Sequence, residues 1–199
     1  MSTSHEGWFL VCVSTGKDAS LRVFVWRQLR KLGAVYVGPS VCLLPMLPAT
    51  QEAMDRLVSR VQDQGGRARV LTLNLRDQAE EEALRAEQRA ERDVEYAEVV
   101  ERAPQLLAEL EQETARRRAT YTEVEESEAD LERFHCWLAS IEARDYFCAP
   151  GRAAAVEAVE RCRQALAAFE ATAVDADLNA SVDVATRPHQ GDPVEGGQE

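Results

Sequence analysis

Three stretches of this chain carry side chains that could do chemistry. The first is a basic cluster, Arg22, Arg27, Arg30 and Lys31, which lies with Trp26 inside ten residues of an otherwise acidic sequence. Cations at that density neutralise phosphates, and an indole among them can stack on bases or wedge between them. The second is the loop Val13-Ser14-Thr15-Gly16-Lys17-Asp18, which superficially has the Gly-Lys pair of a phosphate-binding loop. The Walker pattern also needs a glycine where Val11 stands and Ser or Thr where Asp18 stands. Without that glycine the backbone does not wrap a triphosphate, and Asp18 repels one, so no nucleotide cofactor is expected. The third is His135-Cys136. Neighbours on a helix point about 100° apart, and Cys148 beyond them has no second pair at ligand spacing, so no metal is expected. His5 and His189 lie near the chain ends. The 24 acids between positions 77 and 172 make many i,i+4 pairs by chance and read as solvated faces. No catalytic residue is assigned, and the chain is not expected to be an enzyme.

The elements that must position the basic cluster follow from periodicity. On a helix, Leu21, Val25, Leu29 and Leu32 form one apolar face, and the cations spread over the opposite half together with Val23 and Trp26. Asp18 or Ser20 is the candidate N-cap, and Gly33 stands where a C-cap belongs. Residues 8–13, WFLVCV, read as a strand before this helix. Ala34–Val37 and Val41–Pro45 read as a hairpin through Gly38-Pro39-Ser40. A second helix opens near Pro48 and Thr50 and closes at Gly65-Gly66, and a last strand covers Ala68–Leu75. The order strand, helix, strand, strand, helix, strand predicts a ferredoxin-like βαββαβ sandwich over 1–76, with both helices on one face of an antiparallel sheet. The fold class is thus α+β.

After Leu75 the composition changes, and Glu, Ala and Arg dominate. A thin seam, Ala79, Ala83, Ala86, Ala90, Val94 and Ala97, predicts a long helix that Pro104 ends or kinks. Residues 105–126 read as helical but polar. Leu131, Phe134, Leu138 and Ile141 mark a firmer helix, and Val156 to Phe169 the last one. Residues 77–172 are therefore expected to form an acidic helical hairpin or small bundle, completed by homo-oligomerisation. Residues 173–199 read as a disordered tail.

The net charge of −12 divides unevenly: +5 over 1–76, −12 over 77–172 and −5 over 173–199. A basic head on an acidic body leaves two uses for the cluster. It can meet DNA, with Arg67, Arg69 and Arg76 in support, or it can pack on the chain's own acidic helices or on a partner, with Trp26 under the junction. No apolar run approaches the ~20 residues of a membrane span. The start lacks a secretory signal, and five scattered cysteines without CxxC suit reduced thiols in a cytoplasm.

Several segments resemble a known family. Val25-Trp26-Arg27, Leu29-Arg30-Lys31-Leu32-Gly33-Ala34, the hairpin reaching Val41 and Leu44-Pro45, Gly65-Gly66, Glu95-Tyr96-Ala97-Glu98 and Arg144-Asp145-Tyr146-Phe147 follow one another in the expected order. Together they resemble the N-terminal domain of the chromate-resistance regulator family ChrB. A more distant likeness is to the ferredoxin-like domain of phenylacetate-type repressors and of CRISPR-associated endonucleases. The resemblance implies a cytoplasmic, DNA-associated regulator of a chromate-efflux operon, with DNA contacts at Arg22, Arg27, Arg30 and Lys31. The residues themselves add Trp26. Full-length members carry a further C-terminal domain to which oxyanion sensing is attributed. Here a tail is read in its place, so a separate chromate-sensing protein is the expected partner. The endonucleases hold metal with an Asp at the end of the first strand, where Val13-Ser14 stand, so their activity is not expected.

Overall fold

The computed structural model describes residues 7–116 and 120–186. His5, His189 and the end of the expected tail lie outside the described residues. In chain order the elements are β1 (Trp8–Ser14), α1 (Ala19–Lys31), β2 (Val35–Gly38), β3 (Val41–Pro45), α2 (Pro48–Asp63), β4 (Arg67–Leu73), α3 (Gln78–Arg116), α4 (Tyr121–Glu142) and α5 (Arg152–Thr186). The class is α+β, as the periodicity predicts.

The four strands form one sheet in the order β2-β3-β1-β4, and every pairing is antiparallel. β1 is central, with Val11 opposite Cys42 on one side and Val70 on the other. Alternation then sorts its side chains. Phe9 and Val11 enter a core with Leu21, Val25 and Leu29 of α1 and Met54, Leu57 and Val61 of α2. Each fully buried chain of that size contributes about 1.5–3 kcal/mol. This is the split βαβ arrangement, with both helices on the face that takes the odd-numbered residues of β1.

The opposite sheet face is covered too at one end. Trp8 is 2% exposed, and its ring lies 5.7 Å from that of Phe147. The chain accordingly divides into two units, Met1–Val100 with Cys136–Val156 and Glu101–His135 with Glu157–Glu199. The first unit joins the βαββαβ segment to the start of α3 and to the turn between α4 and α5.

The second unit is helical. Ala103, Leu106, Leu110, Val124, Leu131, Cys162, Leu166 and Phe169 are among its buried residues, and the Cys162 thiol donates to the Ala103 carbonyl at 3.4 Å. Here the structure departs from the periodicity in three places. α3 does not end at Pro104 but runs through it, because buried residues on both flanks, Val99 and Ala103 before it and Leu106 and Leu110 after it, outweigh one lost hydrogen bond. α4 starts afresh at Tyr121, behind a capping box in which the Thr120 N–H donates to Glu123 at 2.9 Å and the Glu123 N–H donates to Thr120 at 3.3 Å. α5 continues to Thr186, well into the stretch read as a tail, since no Gly or Pro occurs between Gly151 and Pro188.

Candidate nucleic-acid interface

The site rests on how α1 is held. At its start, Asp18 accepts from the Leu21 N–H at 2.9 Å and from the Ser20 hydroxyl at 3.2 Å. The backbone donor stabilises the charged carboxylate and, with Ser20, holds its pKa below the ordinary value against a smaller opposing effect of desolvation. The Gly-Lys loop thus ends in a helix cap, with Gly16 at φ +57°. Leu21, Val25 and Leu29 are buried along the inner face of the helix.

Three residues distant in sequence close the other end. Gly33 turns the chain at φ +65° into β2. Its carbonyl accepts from Gln88 Nε2 at 2.7 Å, and the Leu32 carbonyl accepts from Tyr146 Oη at 3.0 Å. Arg92, 5% exposed, crowds Gly33 so closely that a Cβ there would stand 2.5 Å from its Nη1. A buried cation at a helix C-terminus is favourable against the macrodipole. Arg92 and Arg144 share the Glu95 carboxylate, at 2.9 Å each. The Arg92 N–H misses the Glu95 oxygen in direction, so that contact holds by charge and leaves Nε without a hydrogen bond.

The family segments flagged in the sequence therefore have a structural task. In consecutive order, Arg144 pairs with Glu95, Asp145 accepts from the Tyr96 hydroxyl at 3.2 Å, Tyr146 reaches Leu32 and Phe147 meets Trp8. Four neighbours fasten α3, α1 and β1 to one turn. Composition and spacing give no sign of these contacts, because the partners lie 49 to 139 positions apart.

Held at both ends, α1 presents its other half outward. Arg22, Arg27, Arg30 and Lys31 are all exposed, and Trp26 is 47% exposed. Among the described residues none of the four cations pairs with a carboxylate, whereas arginines elsewhere in the chain form many such pairs. Arg22 donates to the Gly16 carbonyl at 3.0 Å, and the Arg30 guanidinium lies 5.3 Å from the Trp26 ring centroid. Arg22, Trp26 and Arg30 follow one another at i, i+4 and i+8; the first two border a groove of about 550 Å³, and Arg30 adjoins it through the Trp26 ring. Arg22, Val23 and Trp26 line it from α1 and Tyr36 from β2, with Val25, Leu29 and Cys42 among its buried residues. Burial, with the neighbouring Cys12 thiol as a lesser cause, pushes the Cys42 thiol up to about 12, so it is an inert part of the wall.

The structure does not join Arg67 and Arg69 to this surface. Ala68 and Val70 of β4 pack on the helix-side core, so the two arginines face the other side of the sheet, on the edge strand farthest from β2. His135 and Cys136 are both exposed on α4, and no group of three His, Cys, Asp or Glu suited to a metal occurs among the described residues. No helix there is long and apolar enough to cross a membrane.

Comparison with known proteins bears on the whole of this framework. Protein ChrB of Cupriavidus metallidurans (strain ATCC 43123 / DSM 2839 / NBRC 102507 / CH34) is 31% identical over 98 residues, which make up 49% of this chain and 30% of that relative. The match thus spans less than a third of the relative's length. No solved structure matches the chain significantly. The family model described as "Protein ChrB, N-terminal" matches residues 22–179, from the first basic residue of α1 into α5, and the chain belongs to that family.

Proposed function

We propose that this chain is a DNA-binding transcriptional regulator, or an accessory protein of one, linked to chromate resistance, and that α1 is its contact surface. One observation carries the reading: Arg22, Arg27, Arg30 and Lys31 stand exposed and, among the described residues, without carboxylate partners in a chain of net charge −12. Cations kept apart from so many available acids are free to neutralise phosphates. Membership of the ChrB family supplies the regulatory context, and the reading is non-enzymatic. It places the protein in the cytoplasm as a homo-oligomer, with a chromate-sensing domain protein as a further partner.

Titration of the chain with duplex DNA from upstream of its own reading frame, over a range of salt, tests this. Binding is expected to weaken with a linear log–log dependence. Arg27→Ala/Arg30→Ala/Lys31→Ala together should lower the slope by about three units, one per lost phosphate contact. An unchanged slope removes α1 as the contact surface. Light scattering checks the oligomer.

A further inference from the structure

The groove beside α1 is unlike a surface that only meets phosphates. It has an apolar floor, an aromatic on each side, Arg22 on its rim and Arg30 against the Trp26 ring. Trp26 on α1 and Tyr36 on β2 are 47% and 40% exposed. They flank the same groove. Arg30 connects them: its guanidinium stacks on Trp26, and its charge draws the Tyr36 phenol downward against the stronger upward effect of burial. Arg22 stands at the other end of the row, tied to Gly16. At about 550 Å³ the space is of ligand-pocket size.

We propose that this groove receives an unpaired nucleobase, stacked against Trp26 and Tyr36, while Arg22 and Arg30 hold the flanking phosphates. The inference rests on the DNA-binding reading and extends it from phosphate contact to base capture. Three features favour a nucleic-acid strand over an apolar peptide or a second copy. The rim is cationic while the chain as a whole is acidic, so a second copy brings net repulsion. Aromatic faces take any base without sequence readout, and the fixed guanidinium beside them matches the alternation of base and phosphate. β2, the wall opposite α1, is a short edge strand with a register shift between Tyr36 and Gly38, a poor template for strand addition.

The experiment titrates the full chain with oligothymidylate and, separately, with duplex DNA, following indole emission and anisotropy. Trp8 is buried and Trp137 is half-buried on α4 outside the groove, so quenching that disappears in Trp26→Phe reports the groove. Trp26→Ala and Tyr36→Ala should each weaken oligothymidylate binding about 5- to 150-fold, the loss of one stacked base. Trp26→Phe and Tyr36→Phe should retain most of the affinity, and Val37→Ala, exposed but outside the groove, all of it. Circular dichroism confirms that the variants fold. Oligothymidylate binding that tolerates both alanines overturns the proposal and leaves the duplex reading intact. Base-dependent quenching without salt-dependent duplex binding sustains the groove and overturns that reading. Self-association lost in Trp26→Ala, with no quenching by any strand, assigns the groove to a second copy and overturns the proposal.

Discussion

The hydroxyl of Tyr146 donates to the backbone carbonyl of Leu32 at 3.0 Å, so a residue 114 positions away closes the last turn of α1. Helix ends leave carbonyls without partners, and this end is half-buried, where water cannot serve every one of them. The basic helix is thus held by a turn that the acidic half of the sequence supplies.

Removing that one oxygen gives the first prediction. Tyr146→Phe keeps the ring but orphans the Leu32 carbonyl, and should cost about 1 kcal/mol. Urea unfolding followed by circular dichroism measures it as a lower midpoint with an unchanged slope.

Two glycines in the same backbone region of conformational space should respond differently. Gly16 and Gly33 lie at φ +57° and +65°, but a Cβ on Gly16 meets nothing within 4 Å, whereas one on Gly33 meets Arg92 at 2.5 Å. Gly16→Ala should cost about 1 kcal/mol, the strain of a left-handed alanine. Gly33→Ala carries that cost and must also displace a buried guanidinium, so its melting temperature should fall clearly further. Equal shifts would show that Arg92 yields freely.

Glu95 anchors two arginines whose side chains are only 6% and 15% exposed. Glu95→Gln leaves that buried charge undercompensated and should cost about 3 kcal/mol. Glu52→Gln, which breaks the exposed i,i+4 pair with Arg56, should leave the unfolding midpoint unchanged within error.

Asp18 gives a pH signature. Its folded pKa lies below the ordinary carboxylate value, chiefly because the Leu21 N–H donates to it. Its contribution to stability is therefore complete above the unfolded pKa and is lost as pH falls through the lower folded value. Asp18→Asn keeps a cap acceptor without a proton to gain. Unfolding midpoints followed downward from neutral pH should fall less steeply for the variant in the acid range.

Local sequence determined much of this molecule. The apolar, β-favouring run at 8–13, the apolar face Leu21-Val25-Leu29, the Gly33 stop and the hairpin before Pro45 each specify an element through contacts between near neighbours. Their order leaves few ways to build the sheet. The arc of Arg22, Trp26, Arg27, Arg30 and Lys31 was legible for the same reason, since residues three and four apart share a helix face. Charge alone could not tell whether that arc meets solvent or the chain's own glutamates. The tertiary structure decided it: the four cations stand exposed, while Glu95 and Asp145 are spent on Arg92, Arg144, Tyr96 and a backbone amide. Tyr36, Gln88 and Arg92, and the task of Tyr146, escaped the sequence because their partners come from other elements. Pairing of that kind leaves no period to read. It is fixed only when the sheet and the start of α3 have packed.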